Sequence, residues 1–444
     1  MRVLWVCNRI LPVVAKELNM DAGNKEGWLA GLSERILEEK NTELELGVAF
    51  PAGKDLAKWK GEFEVSAYAF YEDVQRPELY DENLEVRMRE IVEDFKPDLV
   101  HIFGTEFPHT LAMVKAFNNP SRTLVGIQGM CTLCADAYLE GLPEKVVKRS
   151  TLRDLLKNDS ILEQQKKFYK RGAYEQKALS MTGNVTGRTD LDREYSLKCN
   201  PRVKYFFMNE TLRYNFYQGT WNFKTCEKHS IFVSQGDYPI KGLHYMLQAL
   251  PDILDEYPDT KVYVAGNCIT GDENLRKRIK IPSYGKYLRE LMEKNNIQDK
   301  VIYLGNLNAE AMKNRFLESN VFVSCSTMEN SPNSVGEAML LGVPVVASDV
   351  GGVANLLTDM EEGILYDAGN IKELSRAIIK IFDAYEYEDP GKMRPMRVKE
   401  EDVTKVRSFP VKSRGRAFET HNPGKNYKRL MEIYSEICEE KDET

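Results

Sequence analysis

The sequence has few of the residues that build metal sites or disulfide frameworks. Five histidines and eight cysteines are scattered over 444 residues. The one close cysteine pair, Cys131 and Cys134, lacks both a second CxxC pair and histidines at ligand spacing. The other cysteines lie largely in apolar runs such as VLWVC and VFVSC, which is typical of reduced, buried thiols in a cytoplasmic protein. We therefore expect no metal site and a structural role for Cys131 and Cys134.

Long apolar runs and an excess of positive charge are also absent. No stretch approaches the ~20 apolar residues that a membrane-spanning helix needs. The apolar start of MRVLWVCNR is too short for the hydrophobic region of a signal peptide. The net charge is −7 and the isoelectric point about 5.6, which argues against a general nucleic-acid-binding protein. These absences predict a cytoplasmic protein without a nucleic-acid partner.

What the sequence does contain is a repeated alternation of β-branched runs with amphipathic segments. This alternation predicts βαβ units and a parallel sheet covered on both faces. It occurs twice, over roughly residues 1–130 and again from near Ser230. The strand-like runs are RVLWVC, ELELGVAF, DLVHIFG, TLVGIQG, SIFVSQG, KVYVAGN, KVIYLGN, VFVSCS and VPVVASD.

The alternation therefore predicts an α/β protein with two Rossmann-like, doubly wound domains. We place the first at residues 1–222 and the second at residues 223–422, with a C-terminal helix at about 423–440 that packs back onto the first domain. Ligands of such sheets bind beyond the carboxyl ends of the strands. A site in a cleft between the two domains is expected.

Two segments depart from the alternation. Residues 141–181 are helical in pattern and rich in lysine and arginine, which would suit contact with anionic lipid at the inner membrane face. Interleaved acids such as Glu144 and Asp154 favour a solvated face instead. Residues 387–416 contain three prolines and many basic residues, so we expect an irregular surface excursion there.

The segment ENSPNSVGEAMLLGVPVVASDVGG places two carboxylates, Glu329 and Glu337, around a short polar loop. The preceding strand NVFVSCS brings Glu329 to a carboxyl edge, and the following helix ends at Gly342. The helix start at Asn333 and Ser334 offers N–H groups and a positive dipole end to an anion. Taken alone, Glu337 also fits a capping box with Ser334, and Glu329 fits a solvated loop acid.

This element, together with an ordered set of further motifs, resembles the retaining GT-B glycosyltransferases of family 4, also described as glycosyl transferases group 1. A lone E-x7-E pair would be weak evidence, whereas the order of the whole set is specific. The motifs that carry the resemblance are PDLVHIFGTEFPH, GIQGM, SQGDYPIKGLHYMLQAL, VYVAGN, VIYLGNL, NSPNSVGEAMLLGVPVVASDVGGVANLL, GILYDAGNIKELSRAI and HNPGKNYKRLMEIYSEI.

The resemblance implies roles for residues of the second domain. Glu337 would bind the ribose hydroxyls of the donor nucleotide, and Glu329 would contact the transferred sugar. A carboxylate accepts two hydroxyl hydrogen bonds, as a vicinal diol requires. Backbone N–H groups at Asn333 and Ser334 would hold the diphosphate. Lys241, in YPIKGL, would neutralise that diphosphate as the nucleotide leaves, although a lysine before a turn glycine is often only a surface residue.

The sequence departs from the family pattern at two places. Gln235 stands where the family usually has an arginine that clamps the phosphate, and Arg188 is a candidate substitute. In NKEGWLAGL, Gly27 matches one glycine of the family's glycine-rich loop, while Glu26 replaces the other. Gly27 fits the start of a helix nearly as well.

Residues of the first domain receive acceptor-side or sugar-side roles from the resemblance. His109, after the strand in HIFGTEFPH, matches a histidine near the transferred sugar, and Glu106 shares its loop. His101 lies within the apolar strand and is expected to be a core histidine. Arg188, in VTGRTDLDREY, either meets the acceptor or the donor phosphate or lies in a polar turn.

The resemblance implies a metal-independent, retaining transfer of a sugar from a UDP- or GDP-linked donor to a hydroxyl acceptor, without a further cofactor. The acceptor would be a glycan or lipid-linked molecule, in surface polysaccharide or glycoconjugate synthesis. One alternative is an epimerase or phosphorylase of the same fold. Another is a non-catalytic nucleotide-sugar-binding protein, which the departures at Gln235 and Glu26 keep open. The sequence does not indicate the oligomeric state.

Overall fold

Two separate β-sheets organise the chain in the computed structural model, which describes residues 1–20, 27–271, 280–386 and 399–439. The chain divides into two units. The first unit consists of Met1–Cys134, Lys167–Arg213 and His421–Thr444, and the second of Ala135–Lys166 and Tyr214–Thr420.

The first unit contains an eight-stranded sheet in the order β3-β4-β2-β1-β5-β6-β7-β8. Neighbouring strands are parallel except for the antiparallel pair β3 and β4. The strands are β1 Arg2–Val6, β2 Glu45–Ala52, β3 Lys60–Glu62, β4 Ser66–Tyr71, β5 Leu99–Phe103, β6 Thr123–Gly126, β7 Asn184–Gly187 and β8 Lys204–Phe207.

The second unit contains a six-stranded sheet, parallel throughout, in the order β11-β10-β9-β12-β13-β14. Its strands are β9 Glu227–Val233, β10 Lys261–Ala265, β11 Val301–Gly305, β12 Ser319–Ser324, β13 Val345–Ser348 and β14 Ile364–Tyr366. The predicted α/β class with two parallel sheets is therefore confirmed.

Helices connect the strands, as the parallel pairing requires. In chain order the α-helices are Pro12–Glu17, Gly27–Glu39, Asn83–Phe95, Pro108–Phe117, Cys131–Asp136, Glu144–Val147, Leu152–Lys157, Ile161–Ser180, Asp190–Cys199, Leu243–Glu256, Ser283–Asn295, Ala309–Glu318, Asn333–Leu341, Val353–Leu356, Ile371–Glu386, Glu400–Thr420 and Pro423–Glu439. Within the described ranges, no helix combines the length and the apolar character needed to cross a membrane.

The boundary between the units differs from the predicted boundary at residues 222 and 223. Residues 135–166 were expected in the first domain but belong to the second unit. The reason is a set of long-range bonds that local sequence patterns do not reveal. The Ser283 N–H donates to the Asp154 carboxylate over 3.0 Å, and Arg149 pairs with Glu290 at 3.0 Å.

Residues 400–416, the later part of the segment 387–416, are also organised differently from the prediction. Pro390 and Pro395 lie outside the described residues, but residues 400–416 belong to the helix Glu400–Thr420 and are not irregular. Valines and a phenylalanine recur at helical spacing and are buried on one face, namely Val403, Val406 and Phe409. That apolar periodicity outweighs the helix-breaking effect of Pro410, which lies within the helix.

The C-terminal helix Pro423–Glu439 completes the core of the first unit. Tyr434 is fully buried, and its hydroxyl accepts a hydrogen bond from the Trp5 indole N–H over 2.8 Å. The same hydroxyl lies 2.7 Å from Nδ1 of His101, to which it donates its own hydrogen. Burial lowers the pKa of His101 to about 3 and keeps the ring neutral, as this hydrogen bond requires. His101 is thus a core histidine, as expected.

We predict that Tyr434→Phe destabilises the protein by about 1–3 kcal/mol, because the buried Trp5 N–H and the His101 acceptor both lose their partner. The thermal denaturation midpoint measures this effect. Tyr214→Phe, at a tyrosine that is 69% exposed, is the matched control and should leave the midpoint unchanged. Equal midpoints for both variants would contradict the prediction.

We further predict that acid lowers the free energy of unfolding as the pH falls below about 6.5. Burial lowers the pKa of His101 and of His421 to about 3 and that of His244 to about 4. The unfolded chain therefore binds protons between about pH 6.5 and 4 that the native state does not, so stability is present above this window and lost within it. Each histidine contributes a slope of about 1.4 kcal/mol per pH unit.

Urea unfolding at a series of pH values measures this slope, and His421→Asn should reduce it by about one proton. A slope that is the same in the variant would contradict the assignment.

Candidate functional site

The central feature of the second unit is a lysine–carboxylate pair at the carboxyl edge of its sheet. Lys241 follows β9 and Glu329 follows β12, and these two strands are parallel neighbours. Lys241 Nζ lies 2.5 Å from Glu329 Oε1, and the Ser326 hydroxyl donates to the same oxygen over 2.6 Å. The two charged side chains retain 21% and 12% exposure. Two residues 88 positions apart in sequence thus form one polar site.

The backbone around Lys241 is fixed by a close approach to the segment that follows β12. Lys241 ends the short turn Pro239–Lys241, and Gly242 then adopts the left-handed conformation with φ +67°. A Cβ at Gly242 would overlap the carbonyl oxygen of Cys325, so only glycine fits there. The Thr327 N–H donates to the Ile240 carbonyl over 2.8 Å. These contacts hold the lysine and glutamate loops against each other.

The loop of Glu329 is also tied to the paired glycines after β13. The Gly352 N–H donates to the Glu329 carbonyl oxygen over 3.1 Å. Gly351, its neighbour, has φ +56°, a conformation that glycine adopts without strain. The glycines of the SDVGG sequence thus support the loop that carries the carboxylate.

The helix Asn333–Leu341 starts directly beyond this loop. Its N-cap is Pro332, with no side-chain cap, and Asn333 and Ser334 are its first two residues and are half-buried. The capping-box alternative for Ser334 and Glu337 is therefore wrong, because Ser334 is inside the helix rather than at its N-cap. Glu337 lies one turn into the helix and is only 5% exposed. A carboxylate as buried as this one requires hydrogen-bond partners.

The helix ends where the sequence predicts. Gly342 is its C-cap with φ +76°, and the Gly342 N–H donates to the Met339 carbonyl over 3.0 Å. The helix is therefore short, and the positive end of its dipole lies at Asn333.

Gln235, the position where the resemblance predicts an arginine, contacts an acid instead. Its side-chain amide donates to Asp237 Oδ1 over 3.1 Å, and the Asn267 amide donates to Asp237 Oδ2 over 3.2 Å. These residues follow β9 and β10, so they lie at the same sheet edge as Lys241. In the described part of the chain, no group of three or more His, Cys, Asp or Glu side chains is arranged to hold a metal ion.

In the first unit, Gly27 begins the helix Gly27–Glu39. A Cβ at Gly27 would overlap the Arg213 side chain, so the glycine allows this half-buried cation to lie against the helix start. Glu26 lies outside the described residues. Gly27 thus lies at a helix start, which is one of its two sequence interpretations, and its role in a glycine-rich loop near the phosphate stays a prediction.

His109 is in the first turn of the helix Pro108–Phe117 and is fully buried. Glu72 accepts two hydrogen bonds from this residue: Oε1 from the backbone N–H over 2.9 Å, and Oε2 from ring Nδ1 over 2.8 Å. The Phe107 ring stacks on the imidazole with centroids 5.7 Å apart. His109 was expected beyond the strand and near the transferred sugar, and its side chain has 0% exposure. A direct contact with a sugar stays a prediction.

Glu106 and Arg188 are likewise enclosed. The glycines Gly104 and Gly129 leave room for the Glu106 carboxylate, and Arg171 Nε donates to the Glu106 carbonyl over 2.9 Å. Arg188 forms an ion pair with Glu210, and both are less than 10% exposed.

Arg188 belongs to a small cavity at the carboxyl ends of β5, β6 and β7. The cavity is lined by His101, Phe103, Gly126, Ile127, Gln128, Thr186, Gly187, Arg188, Met208 and Glu210. Gln128 donates to Glu210 Oε1 over 2.7 Å, so the carboxylate has a second donor besides the guanidinium. The charge of Arg188 is thus balanced within the first unit.

The cysteine pair has no shared chemistry. Cys131 is buried, Cys134 is half-buried, and both thiols are free. Burial raises the pKa of Cys131 well above its usual range, which keeps it protonated and unreactive. The Cys131 N–H donates to the buried Glu175 carboxylate over 3.1 Å.

Sequence reasoning did not single out Ser326, Asp237 or Arg213. The signal for Ser326 was available, because it lies three residues before Glu329 in a turn and can reach its carboxylate. Asp237 lies two residues after Gln235, a spacing at which side chains of a loop often meet. Arg213 is distant in sequence from Gly27, and no local pattern links them.

Sequence comparison with known proteins finds matches to part of the chain. Residues 217–394 match the family model described as glycosyl transferases group 1. Spore coat protein SA of Bacillus subtilis is 30% identical over 151 residues, which cover 33% of this chain and 37% of the relative. A glycosyltransferase of Methanocaldococcus jannaschii is 31% identical over 138 residues, covering 31% of each chain. The chain thus spans about a third of the length of these curated relatives.

Solved structures match over nearly the entire chain. Sucrose-phosphate synthase from Thermosynechococcus elongatus superposes with a TM-score of 0.67 at 13% identity, covering 98% of this chain and 99% of that one. Anabaena HepE in complex with UDP-glucose gives a TM-score of 0.62 at 14% identity, covering 98% and 100%. At these identities the likeness establishes the fold, which is GT-B.

We predict that Gly242→Ala destabilises the protein by about 1–3 kcal/mol and displaces Lys241, because the position has a positive φ and no room for a Cβ. The thermal denaturation midpoint tests the effect. Gly415→Ala is the control: this glycine lies in a helix with open space around it, and alanine should leave stability unchanged or raise it by about 0.5–1 kcal/mol. Similar midpoints for the two variants would refute the tight approach at Gly242.

Proposed function

Since residues 217–394 match the family model of group 1 glycosyl transferases and the chain has the GT-B fold, we propose that this protein is a retaining glycosyltransferase. It moves a sugar from a nucleoside diphosphate donor to a hydroxyl acceptor. The observation that carries the proposal is the contact of Lys241 with Glu329 at the carboxyl edge of a parallel sheet. An ammonium group for a diphosphate and a carboxylate for sugar hydroxyls meet there within 2.5 Å.

In the proposed mechanism, donor binding replaces the lysine–glutamate pair with two new contacts. The diphosphate pairs with the Lys241 ammonium, and the hydroxyls of the transferred sugar donate hydrogen bonds to the Glu329 carboxylate. The Ser326 hydroxyl keeps that carboxylate in position. The ammonium then stabilises the negative charge that grows on the leaving phosphate as the glycosidic bond breaks. The N–H groups at Asn333 and Ser334 stabilise the same charge from the helix end.

We assign no nucleophilic role to Glu329. Its carboxylate oxygen accepts from both an ammonium and a hydroxyl, and both bonds lower its tendency to attack a carbon atom. The acceptor instead attacks on the face from which the diphosphate leaves, and the leaving phosphate takes the acceptor proton. The anomeric configuration is retained, and Lys241 with the helix end neutralises charge without a metal ion.

Glu337 is proposed as the ribose clamp of the donor. It is buried at 5% exposure, one turn inside the helix whose start faces the diphosphate in this mechanism. A carboxylate accepts hydrogen bonds from both hydroxyls of a vicinal diol. Structures of Anabaena HepE contain UDP and UDP-glucose, which supports a UDP-linked donor here, with GDP as the alternative.

The acceptor is proposed to be a glycan or a lipid-linked molecule in surface polysaccharide or glycoconjugate synthesis. Curated relatives with 26–29% identity include a phosphatidyl-myo-inositol mannosyltransferase and an alpha-monoglucosyldiacylglycerol synthase, whose names denote lipid acceptors. Spore coat protein SA points to a surface structure. A cytoplasmic enzyme at the inner membrane face would fit both kinds of acceptor.

One observation favours a second candidate, a nucleotide-sugar-binding protein without transferase activity. Asp237 accepts from Gln235 at the place where the resemblance predicts a cation. A carboxylate near the diphosphate opposes the binding of another anion and weakens the stabilisation of the leaving group. Donor binding without turnover would identify this candidate, and a released or epimerised sugar would identify an epimerase.

A panel of nucleoside diphosphates and their sugars in a thermal-shift assay identifies the donor, because ligand at 100 times Kd stabilises by about 2.7 kcal/mol. Anomeric NMR of the product then distinguishes retention from inversion. An inverted product would overturn the retaining mechanism.

We predict that Lys241→Met and Glu329→Gln each lower donor turnover by about 10²–10³-fold, since each removes a contact that strengthens as the bond breaks. Glu337→Gln should mainly raise KM for the donor, because ribose contacts are the same before and during the reaction. Lys372→Met is the control for charge removal, at an exposed lysine paired with Asp252 in the same unit. Wild-type turnover in Lys241→Met would exclude the proposed leaving-group role.

A further inference from the structure

The topology of the first sheet has a switch point between β1 and β5. From β1 the sheet continues on one side through β2, β4 and β3, and on the other side through β5, β6, β7 and β8. β1 and β5 are parallel neighbours, so the loops that leave their carboxyl ends diverge and open a crevice. Ligands of open α/β sheets bind in such a crevice. Its two sides are formed here by Asn8, after β1, and Gly104, after β5.

Asn8 has a polar side chain that the fold leaves unsatisfied. The residue is 3% exposed, and within the described ranges neither its amide nitrogen nor its amide oxygen has a hydrogen-bond partner. A buried amide without partners destabilises the folded state, and an apolar side chain would avoid that cost. Packing therefore does not explain an asparagine at this position. Polar groups in this state are typical of functional sites.

A second buried asparagine of the same unit illustrates a structural role. Asn184, in β7, is also 3% exposed. Its amide nitrogen donates to the carbonyl oxygens of Ser121 over 2.9 Å and of Thr123 over 3.2 Å. These bonds link β7 to the start of β6, so the fold itself accounts for Asn184. Asn8 is equally buried and makes no such bonds.

Gly104 provides space beside the Asn8 amide. It has φ +89°, and a Cβ at this position would overlap Glu106 Oε2 and lie 3.6 Å from Asn8 Nδ2. The carboxylate and the amide therefore share the space over this glycine. Glu106 is half-buried, so solvent reaches part of its side chain. An amide N–H, an amide oxygen and a carboxylate thus lie together at the switch point.

We propose that Asn8 binds a hydroxyl group of the acceptor, an inference that rests on the proposed transfer to a hydroxyl. A hydroxyl both donates and accepts hydrogen bonds, and an amide offers one group of each kind. The Glu106 carboxylate accepts from a neighbouring hydroxyl of the same molecule. The Glu106 side chain rotates outward as the acceptor enters. Because the amide is neutral and a carboxylate lies beside it, the ligand is an uncharged sugar or polyol rather than a phosphate.

Asn8→Ala and Asn184→Ala separate ligand binding from a structural role. Each substitution deletes the same atoms from an equally buried site, so the difference between their thermal denaturation midpoints reports the hydrogen bonds. Asn184→Ala should lower the midpoint by a few degrees more than Asn8→Ala, because only Asn184 loses buried bonds. Equal midpoints would show that Asn8 has a structural role and would overturn the proposal.

Saturation-transfer NMR of the full chain tests the ligand class, with glycerol and with the methyl glycosides of glucose and galactose as probes. We expect at least one of these neutral alcohols to bind the wild type. Asn8→Ala should weaken its affinity about tenfold, whereas Asn184→Ala should bind it like the wild type. Inorganic phosphate should not compete.

The NMR measurement needs neither donor nor turnover, so it can fail while transfer is observed, and it can succeed where transfer fails. Equal affinities of the wild type and Asn8→Ala would assign the amide to bound water and reject the acceptor role. The same conclusion follows if none of the alcohols binds the wild type. Competition by phosphate would replace the alcohol with an anion as the ligand and would also reject the proposal.

Discussion

The ion pair of Lys241 and Glu329 is the interaction on which the candidate site depends. The pair is partly exposed, and ion pairs of this kind contribute only about 0–1 kcal/mol to stability. It can therefore be exchanged for contacts with a ligand at small cost. A fully buried pair would resist such an exchange, because removing one partner leaves an uncompensated charge. The site is preorganised, yet its two charged groups remain available to a ligand.

What makes the pair precise is backbone geometry rather than the charges themselves. Gly242 allows the lysine turn to approach Cys325, and the Thr327 N–H joins the two loops through Ile240. Gly352 holds the glutamate loop from its other side. Ser326 then fixes the carboxylate oxygen that Lys241 contacts. Each loop is thus positioned by main-chain contacts before its side chain takes part in binding.

Local periodicity was sufficient to predict the two parallel sheets, because strands buried on both faces read as β-branched runs. The E-x7-E spacing was sufficient to place Glu329 and Glu337 near one helix start. Contacts between distant segments were not predictable in this way. The bond from Ser283 to Asp154 that draws residues 135–166 into the second unit spans 129 positions, and no local pattern encodes it.

The wrong prediction for residues 400–416 also has a physical cause. Composition was weighed over periodicity there, and Pro410 concealed a helix with one buried face. Burial depends on which face of a helix a residue occupies, and composition does not contain this information. The enclosed positions of His109 and Arg188 likewise depend on carboxylates, Glu72 and Glu210, that lie elsewhere in the sequence.

The membership of residues 135–166 in the second unit also brings this segment against the ion pair. The Thr327 hydroxyl, in the loop between Ser326 and Glu329, donates to the Ala137 carbonyl over 3.2 Å. Gly141, with φ +68°, leaves room for the Tyr245 side chain from the helix that follows Lys241. The segment therefore contacts the loop that carries Glu329 and the helix that follows Lys241. A segment distant in sequence from both charged residues thus helps to fix the elements that carry them.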